Sequence, residues 1–141
     1  MKAILVKKPG RAEDLYLAEV PPPSLTEQGV RIKVQASTLN RADILQRKGL
    51  YPPPKGQSPI LGIEVCGTVI ETGPLASRFS KGQRVMALVE GGGYADEAVA
   101  PQGLVMPLSD SLSFTQGAAI PEAFTTASTL HCCAITSRNA T

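Results

Sequence analysis

The stretch Ile60–Ile70 reads Ile-Leu-Gly-Ile-Glu-Val-Cys-Gly-Thr-Val-Ile and is mostly apolar and β-branched. Such a run is typical of a buried strand. Gly62 and Gly67 lie inside it, and glycine within a strand usually marks a bulge or a sharp bend. Because a small barrel needs such bends at its corners, this stretch predicts a strongly curved sheet.

The segments around this run also indicate strands and turns. Residues 30–36 alternate apolar and polar side chains, which predicts a half-buried strand. Further short strands are expected over the segments Met1–Val6, Leu15–Val20, Arg84–Val89 and Tyr94–Ala100. The last two flank Gly91-Gly92-Gly93, which predicts a hairpin-like connection.

Helix signals are few and lie mainly at the end of the chain. Asn40 can cap a short helix that runs through Arg47, with Gly49 just past its end. Ser113 and Gln116 form a capping-box pattern for a second helix. A third is expected from about Pro121 to Leu130, because proline suits the first turn of a helix.

Composition excludes several classes of protein. The 141 residues suffice for one domain, and 43% of them are hydrophobic, so a real core can form. The net charge of +2 is scattered and aromatic residues make up only 4%, so we expect no nucleic-acid partner. There is no signal-peptide core and no stretch of membrane-spanning length, and the three cysteines form no Cys-x-x-Cys motif. The expectation is a cytoplasmic protein with no membrane partner.

Four segments, in this order and spacing, resemble the medium-chain dehydrogenase/reductase superfamily, best its zinc-independent quinone oxidoreductase branch. They are Asn40–Tyr51, Leu61–Val69, Gly82–Leu88 with the glycine triplet and Tyr94–Glu97 behind it, and Ala118–Ala127. The resemblance covers residues 1 to about 127. It implies a mainly β fold, a GroES-like barrel over residues 1–113, and a helical connector over 114–130 that leads toward a Rossmann domain. Residues 131–141 depart from the family pattern and are expected to be a disordered tail.

The Rossmann domain that holds NADPH in this family is itself expected to be absent. Its mark is Gly-x-Gly-x-x-Gly between a strand and a helix. Gly91 and Gly93 are followed by Asp96 where the third glycine would fall, and a strand rather than a helix comes next. The triplet is therefore interpreted as a tight turn. NADPH is the cofactor of the intact family, and none is expected for this chain alone.

No metal site is expected. The resemblance implies that zinc-dependent relatives carry Cys at position 40 and His at position 63, where this chain has Asn40 and Ile63. Asparagine is a poor zinc ligand and isoleucine is none. His131, Cys132 and Cys133 could bind a metal, but three contiguous residues cannot all face one tetrahedral site without strain, so an unstructured tail is favoured.

The resemblance places three residues at the cleft between substrate and cofactor. Asn40 could donate to an oxygen that develops charge or hold the nicotinamide ribose, or it could only cap its helix. Tyr51 could stack on a ring or donate its hydroxyl to the substrate, or it could pack in its loop. Thr126 could bind the cofactor, or it could bond a carbonyl one turn earlier.

Glu64, inside the apolar run, needs a partner if it is buried, and Arg47 is the nearest cation in the matched segments.

Two functions remain open at this point. One is the substrate-side domain of an NADPH-dependent quinone oxidoreductase that acts on a small-molecule quinone and is truncated and inactive alone. The other is a non-catalytic module that associates with an intact relative, and a homo-oligomer is also possible.

Overall fold

The computed structural model describes residues 1–138, with side chains through Thr129. Residues 139–141 lie outside the described part. The elements in chain order are β1 Lys2–Val6, β2 Leu15–Glu19, β3 Gly29–Ser37, α1 Arg41–Arg47, β4 Glu64–Thr72, β5 Arg84–Leu88, β6 Glu97–Pro101, β7 Val105–Pro107, α2 Phe114–Ala118 and α3 Pro121–Arg138.

Five strands form one antiparallel sheet in the order β6-β3-β4-β5-β7. The hairpin β1-β2 forms a second sheet, which is joined to the rest of the chain by a bridge between Ala3 and Ala95. The larger sheet curls into a half-barrel, with the helices at the end of the chain. This confirms the predicted mainly β fold class with a short helix and a C-terminal helical exit.

Strands β3 and β4 approach each other closely at Gly67. The pairing of β3 with β4 shifts register between Val34 and Ala36, opposite Gly67 and Cys66. A Cβ atom at Gly67 would lie 2.0 Å from the carbonyl oxygen of Lys33, so no other residue fits without moving a strand. The sequence predicted a bulge or bend at this glycine, and the structure has a register shift there, with the extra residue, Gln35, on the opposing strand β3.

Two expectations about strands were wrong. Residues 60–63 precede β4 instead of belonging to it, because Gly62 has a φ of +96° that breaks the strand, while the carbonyl of Leu61 pairs with the N–H of Tyr94. The connection at Gly91-Gly92-Gly93 is not a hairpin. Strand β5 pairs with β4 and β7, whereas β6 crosses to β3.

The core fills the concave side of the sheet. Its buried members include Val30, Ile32, Val65, Val69, Val85, Ala98 and Val105. A second cluster joins Cys66 to Leu108 and Ala118, so that α2 covers one end of the sheet. Burial raises the pKa of the Cys66 thiol to about 11, which keeps it an inert core residue.

The structure confirms the predicted starts of all three helices. Gly49, with a φ of +76°, follows α1, and Ser113 and Gln116 exchange the two bonds of a capping box at α2. Helix α3 begins at Pro121 as expected but continues past Leu130 through Arg138, the last residue that the structure describes. No proline or glycine follows Pro121 in this segment, so nothing in it stops the helix.

The expected disorder of 131–141 is therefore not found over residues 131–138, which have helical backbone. The division into a domain, a connector and a divergent tail stays a prediction. No helix within the described residues is long and apolar enough to cross a membrane.

Candidate functional site

Asp43 is the buried anchor of the site. It is 2% exposed, and its Oδ2 accepts hydrogen bonds from the backbone N–H of Asn40 at 2.8 Å and the hydroxyl of Tyr94 at 3.0 Å. Its Oδ1 accepts from the N–H of Gly62 at 3.0 Å. One carboxylate thus joins the start of α1, the loop before β4 and the segment before β6.

Tyr94 is held as a neutral donor. Burial, and after it the negative charge of Asp43, raises the pKa of the Tyr94 hydroxyl well above its ordinary value. The same hydroxyl lies 3.3 Å from the carbonyl oxygen of Thr38. The phenol therefore keeps its proton at neutral pH and fixes the end of β3 relative to α1.

Glu64 is the second buried carboxylate, at 3% exposed. Its Oε1 accepts from the hydroxyl of Thr38 and from Nδ2 of Asn40, the latter at 2.8 Å. Its Oε2 accepts from the backbone N–H of Glu122 at 2.9 Å. That N–H lies in the first turn of α3, where the helix dipole favours a negative charge. Glu64 thus caps a helix that begins 57 positions later in the chain.

Arg47 is not the partner of Glu64, and the expectation that paired them was wrong. Among the described residues the ion pairs involve Arg31 and Arg84. Neutral donors and a helix end stabilise Glu64 in place of a cation. An acid inside an apolar run was the only sequence signal that Glu64 needs a partner. The sequence could not show which partner, because Glu122 lies 58 positions away.

Asn40 takes the cap position that the sequence predicted, while its proposed contact with substrate or cofactor stays a prediction. It is the N-cap residue of α1, with φ −105° and ψ 159°, and the Asp43 carboxylate accepts from its N–H. Its side-chain Nδ2 donates to Glu64, and Thr38 Oγ1 lies 3.3 Å from the same nitrogen. The backbone of Asn40 therefore caps α1, while its side-chain amide belongs to the buried polar cluster of Thr38 and Glu64.

The side chains of Tyr51 and Thr126 are both exposed to solvent. Tyr51 lies in the loop after α1 with 55% of its surface exposed. The Thr126 hydroxyl lies 3.4 Å from Oε1 of Glu122, not on a backbone carbonyl, whereas Thr129 makes the bond to the carbonyl one turn earlier. Within the described residues no hydrogen bond joins Tyr51 to Asn40 or Thr126, so the structure does not bring the three predicted residues into one cluster.

Thr126 nevertheless lines a groove beside the Glu64 cluster. The groove has a volume of about 240 Å³ and is lined by Leu88, Glu122, Thr125, Thr126 and Thr129. Leu88 is the register partner of Glu64 across β4 and β5. A larger cavity of about 500 Å³ lies between Met1, the glycine triplet and β6, and none of the three predicted site residues lines it.

The glycine triplet is a packed turn. Gly91 and Gly92 have φ values of +82° and +91°. The N–H of Gly92 already donates to the carbonyl of Ile60, and a Cβ at Gly91 would lie 2.6 Å from the carbonyl oxygen of Ser58. Carbonyl oxygens at this position would repel a phosphate, which supports the interpretation as a turn.

A family model described as the alcohol dehydrogenase GroES-like domain matches residues 26–110, more than half of the 141 residues. This chain belongs to that family. A quinone oxidoreductase-like protein 2 homolog from Nematostella vectensis is 37% identical over 121 residues, which is 85% of this chain and 32% of that protein.

Solved structures agree with the assignment to the GroES-like family. The human synaptic vesicle membrane protein VAT-1 homolog-like protein superposes with a TM-score of 0.84 at 30% identity, over 92% of this chain and 42% of that one. The Escherichia coli quinone oxidoreductase, solved in complex with NADPH, gives 0.77 at 29% identity over 85% of this chain and 37% of that one. The GroES-like chain thus spans well under half the length of these relatives.

Proposed function

We propose that this chain is the substrate-side domain of an NADPH-dependent quinone oxidoreductase, which transfers a hydride from NADPH to a quinone without zinc. The observation that carries the proposal is the bonded path from Asn40 through Glu64 to the N–H of Glu122. It connects the amide proposed to face the acceptor with the helix whose Thr126 is proposed to face the cofactor. Quinone oxidoreductases among the relatives support the reaction class.

Donors must take the place of a metal in this chemistry. When hydride reaches a quinone carbonyl, negative charge develops on its oxygen, and hydrogen-bond donors at fixed positions stabilise that charge. Asn40 stands where zinc-dependent relatives carry a cysteine, and it uses its nitrogen as a donor to Glu64. Tyr51, beyond the other end of the seven-residue α1, is proposed as a second donor.

NADPH does not fit the described residues on their own. The N–H groups of Gly92 and Gly93 are both used by backbone carbonyls, so the triplet offers no phosphate cradle. The groove at Thr126 is too small for a whole dinucleotide and would meet its nicotinamide end only. We therefore expect this chain alone neither to bind NADPH appreciably nor to oxidise it.

A chimera tests the proposal. The dinucleotide-binding part of a zinc-free quinone oxidoreductase would be joined after Ala127, and NADPH oxidation would be measured with a quinone. Turnover is expected in the chimera, and Asn40→Ala and Tyr51→Phe should each lower it about 10-fold or more. Tyr16→Phe is the matched control, because Tyr16 is similarly exposed but lies on β2.

Robust quinone reduction by the unmodified 141-residue chain would contradict the proposed dependence on a second domain. If the chimera is active and both substitutions are silent, Asn40 and Tyr51 are wrongly assigned. Elemental analysis of the untagged chain should find no stoichiometric zinc. One zinc per chain that survives dialysis against a chelator would overturn the metal-free chemistry.

The exposure of α3 favours a second candidate, a non-catalytic module that associates with an intact relative. Every residue from Ala123 to Thr129 is exposed, and Phe124 is 67% exposed. Mixing the chain with a full-length quinone oxidoreductase and measuring co-elution on a sizing column distinguishes the two. Stable co-elution without a functional chimera would favour the binding module.

A further inference from the structure

Glu64 contacts both halves of the proposed site with its two carboxylate oxygens. Oε1 receives the amide of Asn40 and the hydroxyl of Thr38, and Oε2 receives the N–H of Glu122. The carboxylate is 3% exposed and forms no ion pair among the described side chains. A charge held in this way is costly unless all its donors stay in place.

The chemistry of a carboxylate sets the direction of the Asn40 amide. An ionised carboxylate only accepts hydrogen bonds, whereas the asparagine side chain can present either its oxygen or its NH₂ group. Glu64 therefore selects Nδ2. Nδ2 donates to Oε1 of Glu64 at 2.8 Å and lies 3.3 Å from Oγ1 of Thr38, whose hydroxyl donates to the same carboxylate oxygen.

The other oxygen sets the start of α3. The N–H of Glu122 is one of the four at a helix N-terminus that have no partner within the helix. Glu64 accepts a hydrogen bond from it, and Leu88, the register partner of Glu64, lines the same groove as Thr126. A shift of the carboxylate would move the amide and the groove together.

We propose that Glu64 is a positioning residue that fixes the donor direction of Asn40 and the seat of α3 at the same time. The functional meaning of the Asn40 direction rests on the proposed function, but the positioning itself does not. Glutamine at position 64 would have one acceptor oxygen and one NH₂ group. Its oxygen could accept a hydrogen bond from Asn40 Nδ2 or from the N–H of Glu122. It could not accept both, because the NH₂ group that replaces the second oxygen is only a donor.

The test uses nitrogen-15 NMR of the 141-residue chain. In Glu64→Gln, the side-chain amide pair of Asn40 should shift, and the backbone N–H of Glu122 should exchange with solvent about 10-fold faster. Ser37→Ala is the matched control, because the Ser37 hydroxyl donates to the backbone oxygen of Glu64 at 2.8 Å and leaves the carboxylate alone. In this control both signals should stay as in the unmodified chain.

A folded Glu64→Gln variant that leaves the Asn40 amide pair in place and Glu122 exchange within 2-fold would overturn the proposal. If that variant does not fold, Glu64→Asp takes its place. Aspartate keeps the charge but is one methylene shorter, so either the Asn40 amide shift or the Glu122 exchange rate should change. If neither changes, the proposal is equally overturned. The NMR changes together with a silent Asn40→Ala in an active chimera would reject the proposed role of Asn40 toward the acceptor and leave the positioning role of Glu64 standing.

Discussion

The start of β4 and the body of α3 are built in opposite ways, although Glu64 joins them. From Glu64 to Gly67 every residue of β4 is buried, with Val65 and Cys66 at 0% exposed. From Ala123 to Thr129 every residue of α3 is exposed. Among the described side chains of α3, only the first turn is fixed to the rest of the chain. It is held by the buried Pro121 and by the hydrogen bond from the N–H of Glu122 to Glu64.

The difference shows which part of the site carries its own stability. A strand with two partners and two covered faces keeps its geometry through packing. A helix without a buried stripe gains little from its surroundings, and isolated helices are only marginally stable in water. The region around Asn40 and Asp43 is therefore held by packing and buried hydrogen bonds, whereas α3 is held at its first turn, by Pro121 and the bond to Glu64.

The largest effect is expected at Gly67. Gly67→Ala should cost about 3 kcal/mol or more of unfolding free energy, because the new Cβ meets the backbone oxygen of Lys33 at 2.0 Å. Urea unfolding measures the change. Gly103→Ala is the control, since a Cβ at exposed Gly103 meets nothing within 4 Å, and it should stay within about 0.5 kcal/mol. Equal costs for the two variants would contradict the tight β3–β4 contact.

A smaller, pH-dependent effect is expected at Tyr94. Tyr94→Phe removes the hydroxyl that donates to Asp43 and should cost about 1–2 kcal/mol at pH 8. Because folding raises the pKa of this phenol, its contribution is complete below the unfolded pKa of about 10 and is lost as pH rises above it. The gap in stability between the unmodified chain and the variant should therefore narrow from pH 8 to 11. A constant gap would contradict the raised pKa of the Tyr94 phenol, and the same trend in Tyr16→Phe would show that the pH dependence does not come from Tyr94.

The sequence predicted the features that local rules determine. The bulge or bend at Gly67, the start of α1 after Asn40 and the capping box at Ser113 each depend on residues close together in the chain or on one glycine, and all three are confirmed. Alternating side chains likewise predicted β3, and the structure has it over Gly29–Ser37.

Features that depend on distant residues could not be predicted in the same way. The partners of Glu64 were missed because the one in α3 lies 58 positions away. The crossing of β6 to β3 was missed because a glycine turn between two strands looks like a hairpin from the sequence alone. The continuation of α3 past Leu130 was missed because that helix has no stop signal and no periodic apolar stripe by which to judge its length.

The smallest effect on stability is expected in α3 itself. Phe124→Ser should change the unfolding free energy by no more than about 0.5 kcal/mol, because Phe124 is already 67% exposed. Leu61→Ala is the comparison from the buried region and should cost about 2–5 kcal/mol, since Leu61 is 2% exposed.

The same variant also tests whether the chain forms the homo-oligomer that the sequence left open. If the exposed Phe124 is a contact site for a second copy, light scattering should show less association in Phe124→Ser. A loss of more than 1 kcal/mol in that variant would mean that α3 packs against the sheet in solution, which would remove the contrast with β4. Undiminished association with unchanged stability would place the contact on another face and leave the contrast intact.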